Sequence, residues 1–294
     1  MRSDADSRHI NDQVGSDRLG APVESASARV VRISVAPVKS LGLVHPDEVV
    51  LEPGGVVGNR RFWLRDERGA LYAGKRDGTM MRIRPEWDEA TRRLALTFPD
   101  GDRVEDVVEL GDLVEAQLYR LPLPCRRVIG PWQEAISRFV GRPLEFLWAD
   151  DGAVDRTPHG GSVSLLSRAS LDRLREEGGF ADQIDGRRFR MLFEIDGVSA
   201  HEEDTWIGLK VRLGDATAVF NGDIGRCIVT SRDPAKGVVD LATLVTLASY
   251  RRDGVTEPLP FGVYGSVLTP GRVRVGDSAT PLASRISRSE AVPS

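Results

Sequence analysis

The sequence predicts a mainly β fold with a few helices (α+β), laid out as two β-rich blocks that read as a barrel joined to a second barrel-like domain. Three observations predict it. Short runs rich in β-branched and aromatic residues recur from about residue 29 to 277. Turn residues separate them at regular spacing, and helical periodicity is confined to a few stretches. Regularly punctuated β text of this kind suits barrels and strongly curved sheets.

In the first block, Val30 to Val35 alternates as a strand and stops at Pro37, and Asp47 to Leu51 is a second strand closed by Pro53-Gly54-Gly55. Arg61 to Arg65 and Ala70 to Ala73 flank a hairpin signal ending in Gly69, and Leu94 to Phe98 and Val104 to Leu110 flank another at Asp100-Gly101. Val114 to Leu118 adds a strand, and Pro122 to Arg127 reads as a connection. Pro131 then opens a helix that carries Trp132, Ile136, Phe139 and Val140 and stops at Gly141. Pro143 to Trp148 resumes a strand, and 149–161 reads as a long loop.

Ser167 or Ser170 caps a helix ending at Gly178-Gly179. A second β-rich block follows, with strands at Phe189 to Ile195, Leu209 to Leu213, Ala216 to Phe220, Cys227 to Ser231 and Val273 to Val275. One helix, Leu241 to Arg251, interrupts it. The domain boundaries expected are a disordered tail over 1–28, a first domain over 29–120, a connecting helix and strand over 121–150, a second domain over 151–282 and a C-terminal tail over 283–294.

The 294 residues, 40% hydrophobic and 29% charged, describe an ordinary globular chain with a large core. A formal charge of -4 and a pI near 5.7 argue against nucleic acid or an anionic membrane as the main partner. Two cysteines exclude a disulfide framework and suit a reducing compartment. No apolar run reaches the roughly 20 residues that span a bilayer, and the N-terminus lacks the apolar stretch of a signal peptide, so a cytoplasmic location is expected. Only four of the 40 basic residues are lysines: Lys39, Lys75, Lys210 and Lys236. A lysine at a defined place is therefore more informative here than an arginine.

Four segments carry candidate chemistry. Cys227 follows Arg226 at the head of an apolar run, and an adjacent cation favours the thiolate that binds metals and attacks electrophiles. The same cysteine also reads as a small buried residue opening a strand. Pro37-Val38-Lys39-Ser40 presents an ammonium, a hydroxyl and turn N–H groups to an anion, or is a solvated turn. Asn59-Arg60-Arg61-Phe62-Trp63 and Arg187-Arg188-Phe189-Arg190 bring guanidinium forks into strand ends, suited to phosphate or carboxylate, with Arg188 and Arg190 sharing one strand face. His201-Glu202-Glu203-Asp204 has metal-ligand letters without ligand spacing and reads as an acidic solvent turn. His9, His45 and His159 form no pattern with any acid or serine, and Cys125 reads as incidental or buried.

Taken in order, these segments resemble the MOSC family, named for the C-terminal part of molybdenum-cofactor sulfurase, together with its N-terminal β-barrel partner domain. The resemblance rests on Pro-Val-Lys-Ser at 37–40, Arg-Phe-Trp at 61–63, Leu-Ser-Arg-Ala-Ser-Leu at 166–171, Arg-Phe-Arg at 188–190 and Glu-Glu-Asp-Thr-Trp at 202–206. It continues through Arg-Cys-Ile-Val-Thr at 226–230, Leu-Ala-Ser-Tyr-Arg at 247–251, Phe-Gly-Val-Tyr at 261–264 and Pro-Gly-Arg-Val-Arg-Val-Gly-Asp at 270–277.

The resemblance, which extends to the amidoxime-reducing components, implies a molybdenum cofactor (a molybdopterin). Cys227 would be the metal ligand and catalytic residue. Lys39, Ser40 and Arg61 would hold the pterin phosphate, and Ser167 and Arg190 would make further cofactor contacts. It implies an oxidoreductase that reduces N-hydroxylated or oxidised small molecules with electrons from a separate donor protein. The alternative it leaves is a carrier of the cofactor, or of sulfur on Cys227. Pyridoxal phosphate is also associated with the family; a Schiff base needs a lysine, and Lys39 is the one at a plausible place. Where the family pattern continues Arg-Phe-Arg with Pro-Asn, this chain has Met191-Leu192, replacing an amide with an apolar side chain.

Overall fold

The computed structural model describes residues 28–118, 121–150, 154 and 162–285. All but Ala28 of the expected tail over 1–28, most of the expected loop at 149–161 and the end of the chain from 286 lie outside these residues; Ala28 itself opens a strand. Seven strands close a barrel in the order Ala28–Ile33, Phe193–Asp196, Val163–Ser167, Pro260–Thr269, Ala216–Gly225, Leu209–Leu213 and Ser278–Arg285. The last returns to the first, with Ala28 opposite Ala279. Alternation along the strands turns Val30, Phe193, Ile195, Val211, Phe220 and Val263 into one buried core.

Val163–Ser167 and Phe193–Asp196 run parallel, so a crossover must join them. Helix supplies part of it. Among the described residues three α-helices occur: Trp132–Val140 (α1), Arg168–Gly178 (α2) and Thr243–Tyr250 (α3). Ser167 caps α2, its Oγ accepting from the Ser170 N–H at 3.1 Å, and the left-handed Gly179 ends it. Pro131 precedes α1, and Gly141 at φ 76 stops it. Leu171 and Leu174 of α2 pack with Leu247 of α3, Phe189 and Phe261 in a satellite core beside the barrel.

The first block is built on a five-stranded sheet ordered Leu71–Tyr72, Phe62–Asp66, Leu144–Ala149, Leu121–Ile129 and Glu109–Leu118. A three-stranded meander, Arg84–Asp88, Arg93–Thr97 and Arg103–Val107, accompanies it. Their shared core holds Phe62, Leu64, Leu96, Trp132, Ile136 and Phe146, and the buried Trp132 indole donates to the Leu94 carbonyl at 3.0 Å.

Strand pairing crosses the boundary between the blocks. Ala28–Ile33 belongs to the barrel, while Val38 and Leu41 are buried in the core of the first block. Glu48–Glu52 then pairs with Gly271–Arg274 and with Gly55–Val56 in a separate three-stranded sheet. Residues 28–62 thus pass to and fro between the two blocks, and the turns at 37–41 and 59–61 fall where the blocks meet.

Several expectations need correction. Pro122 to Arg127 is not a connection but part of the strand Leu121–Ile129. Only Cys125–Arg127 of that strand pairs with Leu144–Ala149, so Pro122 and Pro124 occupy the stretch where their missing N–H groups cost no bond on that side. Cys227 to Ser231 is not a strand. Cys227 caps a 3-10 turn, Ile228–Ser231, because the Thr230 N–H and hydroxyl both return to the Cys227 carbonyl, at 3.1 and 3.0 Å. Phe189 likewise ends a 3-10 turn, Gly186–Phe189, and the strand starts later, at Phe193. Arg188 and Arg190 therefore do not share a strand face. The expected C-terminal tail from 283 begins inside the strand Ser278–Arg285.

Candidate functional site

Where the blocks meet lies a cavity of about 530 Å³, of a size ordinary for a small-molecule or cofactor site. The first block contributes Lys39, Ser40, Arg60 and the stretch 73–75; the second contributes 188–191, 224–227 and, from separate strands and loops, Ser164, Glu257 and Tyr264. Six lining residues are basic (Lys39, Lys75, Arg60, Arg188, Arg190 and Arg226), against the single carboxylate of Glu257 among the described residues. A wall of that charge favours an anionic occupant.

The backbone around the cavity is held in unusual conformations. Among the described residues six non-glycine residues have positive φ, and three of them line it: Ser40 at 75°, Arg60 at 53° and Arg190 at 54°. Left-handed backbone at a non-glycine residue costs about 1–3 kcal/mol and gathers at functional sites. Two of them are fixed by hydrogen bonds to their surroundings. The Arg60 N–H donates to Ala36 O at 2.7 Å and its carbonyl accepts from Val154 N at 2.8 Å. The Arg190 N–H donates to Arg187 O at 3.1 Å and its guanidinium to Leu41 O at 2.8 Å.

Lys39 is positioned by a parallel bridge between Val38 and Phe62, and its N–H donates to Phe62 O at 2.8 Å. Its Nζ donates to Val154 O at 2.9 Å. The ammonium is enclosed by protein yet open to the cavity. Burial, then the Arg60 and Arg190 charges, hold its pKa well below the ordinary lysine range, and Cys227 pulls the other way. Burial and Arg60 likewise lower Arg190 to about 9, which leaves it cationic at neutral pH. Charge of one sign is crowded at the cavity floor.

Cys227 is exposed and lines the cavity, against the reading of a buried strand opener. Arg226 beside it is committed elsewhere. Its guanidinium donates to Phe261 O at 2.7 Å, to Phe189 O at 3.1 Å and to Met191 Sδ at 2.9 Å, and it lies over the Phe189 ring. Arg188 forms a two-pronged pair with Asp240 at 2.6 and 2.8 Å, while its buried Nε has no hydrogen-bond partner among the described residues. Met191 lines the cavity, whereas Leu192 is packed into the barrel core, so the position where the family pattern has an amide does not line the cavity here.

Four of the expected site residues, Lys39, Ser40, Arg190 and Cys227, meet in this cavity. Arg61 and Ser167 do not line it. Arg60, in the left-handed turn before the strand, lines the cavity, whereas Arg61 stacks over the Trp148 ring at 4.4 Å. Ser167 is fully buried at the head of α2, its Oγ 2.7 Å from Ser170 Oγ.

His201-Glu202-Glu203-Asp204 is not a solvent turn. Glu203 is 0% exposed, with one oxygen accepting from Ser170 Oγ at 2.6 Å and Ser167 N at 3.2 Å, and burial raises its pKa. Asp204 pairs with Arg251 at 2.6 Å, and burial lowers His201 to about 4. This cluster ties α2 to the turn Glu202–Trp206. Cys125 is buried, as expected.

Among residues that the sequence reading did not single out, Glu257 has no motif of its own. Its one signal is placement in a loop between the end of α3 and the strand Pro260–Thr269, which returns it to Gly225.

Comparison with known proteins agrees with this architecture. A family model described as the MOSC N-terminal beta barrel domain matches residues 27–121, and one described as the MOSC domain matches 155–280. Mitochondrial amidoxime reducing component 2 of Bos taurus is 37% identical over 123 residues, 39% of this chain and 35% of that protein. Molybdenum cofactor sulfurase of Oryza sativa is 27% identical over 256 residues, 75% of this chain and 30% of that protein. The chain thus spans about a third of the length of the curated relatives it matches. Among solved structures, the YUAD protein from Bacillus subtilis aligns with a TM-score of 0.40 and 12% identity over 86% of this chain and 94% of that one. No helix among the described residues is long and apolar enough to cross a membrane. With the two family models lying in order along it, the chain belongs to the MOSC-domain proteins, a MOSC domain preceded by its N-terminal beta barrel domain.

Proposed function

We propose that this protein binds the molybdenum cofactor in the cavity between its two blocks and acts as an oxidoreductase on N-hydroxylated or oxidised small molecules. The observation that carries the proposal is one exposed thiol facing a cavity wall of six basic residues and one carboxylate. Among the described residues no three His, Cys, Asp or Glu side chains come together as a metal site. A metal at Cys227 would therefore depend on donors carried by its own organic cofactor, and an anionic pterin suits the cationic wall.

Lys39, Arg60 and Arg190 would hold the anionic part of the cofactor, and its charge would relieve their mutual repulsion. Ser40 would add a hydroxyl and turn backbone beside them. Cys227 Sγ would be the protein's ligand to molybdenum. Bound there, the cofactor would supply two-electron redox chemistry for removing oxygen from the substrate, with electrons from a separate donor protein. The remaining volume, bounded by Glu257 and Tyr264, would shape the substrate's approach.

Molybdenum and pterin content of the protein purified from a cofactor-producing host tests this reading, compared between wild type and Cys227→Ala. Near-stoichiometric molybdenum in wild type and its loss in the variant are expected; metal-free protein in both sinks the proposal. The exposure of Cys227 favours a second reading, a carrier of the cofactor or of sulfur as a persulfide on that thiol. A persulfide found on Cys227 by mass spectrometry in metal-free protein, with no reductase activity, would select it.

A further inference from the structure

The chain is sparing with lysine, yet two of its four lysines are brought to one side of the cavity. Lys75 lines the cavity from the turn 74–76, and Lys236 stands in the loop 232–239. The two segments are pressed together. A Cβ on Gly74 would lie 3.9 Å from Val229 Cγ2, and one on Gly237 would lie 2.0 Å from Gly78 O. The second segment continues directly from the turn Ile228–Ser231 that Cys227 caps, so the chain itself ties this rim to the thiol.

The charges of the rim are sorted. Asp233 accepts from the Ala235 and Lys236 N–H groups at 2.7 and 2.8 Å, and Asp77 from the Thr79 N–H and the Tyr72 hydroxyl at 2.9 and 3.1 Å. Asp240 holds Arg188 and feels Lys236 only through space. These carboxylates are spent on the protein itself. The exposed ammonium groups of Lys75 and Lys236 make no hydrogen bond or ion pair among the described residues. Beside them Val238, Val239 and Val245 are 53%, 55% and 73% exposed. An apolar centre edged by free charge is how a docking surface is built.

We propose that this rim docks a small acidic one-electron carrier protein, whose carboxylates meet Lys75 and Lys236 while its apolar tip covers Val238 and Val239. The inference rests on the oxidoreductase reading and deepens it by giving the separate electron donor a place. The whole chain carries a formal charge of -4, so an acidic partner is repelled by the molecule at large and drawn to the rim. Lysine also suits a contact that must form and part quickly. Its ammonium is a strongly hydrated point charge on a flexible stem, whereas a guanidinium fork grips a carboxylate at two points. Each docked carrier gives up one electron and leaves oxidised. Two visits supply the pair that, with two protons from water, converts an N–OH group to N–H and water.

The test is calorimetric binding of two acidic carriers, a plant-type ferredoxin and a flavodoxin, to the full chain purified from a cofactor-producing host. Molybdenum is assayed on the same samples. Wild type is expected to bind at low ionic strength and to lose the complex at high salt. Lys236→Glu and Lys75→Glu should each weaken binding about tenfold, the cost of setting like charges against each other. Arg138→Glu on α1, outside the rim, should leave it unchanged. No binding of either carrier, or binding that survives both lysine reversals, overturns the proposal. Binding that the reversals weaken in protein without molybdenum counts against the cofactor reading alone. Molybdenum-loaded protein that binds neither carrier counts against the rim alone.

Discussion

Arg60 Nη2 donates to the carbonyl of Arg190 at 2.9 Å, joining two left-handed residues from the two halves of the molecule across one cavity wall. Arg190 returns the contact, sending its own guanidinium to Leu41 O in the first block at 2.8 Å. Each arginine therefore braces the other's half of the site. Arg60→Ala should destabilise the protein by about 1.5–3 kcal/mol, the usual range for a hydrogen bond from a charged group. Arg60→Gln should recover part of that loss. Urea denaturation of both variants checks it, and an alanine variant as stable as wild type would remove the bracing role.

Lys39 gives the empty protein a pH signature. Its folded pKa lies below its unfolded value of 10.5, so the folded state gives up its proton first as pH rises. The charged form of Lys39 therefore costs stability below its folded pKa, and that cost fades as pH rises from the folded pKa towards 10.5. Metal-free protein should become more resistant to urea between neutral and moderately alkaline pH, and Lys39→Met should flatten the rise. Added pyrophosphate should stabilise wild type most at neutral pH, where the floor carries most charge.

Glu203 makes the opposite case for a buried acid. Burial raises its pKa, so the folded state keeps the proton longer and its stabilising share declines as pH rises through the unfolded value towards the folded one. Glu203→Gln keeps an acceptor for Ser170 Oγ and the Ser167 N–H without a charge, and should leave stability at neutral pH unchanged or improved. Glu203→Ala strands both donors and should cost about 1–3 kcal/mol. Thermal denaturation at pH 7 separates the two.

Gly78 and Gly237 let the blocks touch beside the site. A Cβ on Gly78 would lie 1.9 Å from Gly237 O, and Arg232 Nη1 already donates to that same carbonyl at 2.8 Å. The obstacle is backbone, so it cannot rotate away. Gly78→Ala should lower stability by about 1–3 kcal/mol and speed proteolysis of the 233–239 loop, measured by limited digestion.

The fold class and the helices were legible because their signals are local: Ser167 and Gly179 bound α2, and Pro131 and Gly141 bound α1. The strand Pro260–Thr269 escaped, since Pro258, Pro260, Gly262 and Gly265 break the apolar pattern that marks strands, while pairing on both sides makes it central. At the site, the turn at Lys39 and Ser40 and the thiol at Cys227 could be named from residue type. Arg60 could not be separated from Arg61, because which of the two faces the cavity is set by the left-handed turn at Arg60 and by Trp148, which meets Arg61 from a distant strand. Glu203 looked solvated because nothing local shows that Ser167 and Ser170 of a distant helix meet it. Glu257 was silent for the same reason, its place in the cavity wall being set by Asp223 and Gly225 some thirty residues earlier in the chain.

The pairing of Ala28 with Ala279 also orders events during synthesis. Ala28–Ile33 leaves the ribosome among the first described residues and Ser278–Arg285 among the last. At ordinary translation speeds the first strand waits on the order of 10–50 s before that neighbour exists. Through that interval Val30 and Ile33, both fully buried in the finished barrel, have no core to enter. The first block can gather its own sheet meanwhile, but the barrel closes only once Ser278–Arg285 has been made. That delay leaves the apolar face of Ala28–Ile33 open to chaperones until its second neighbour arrives.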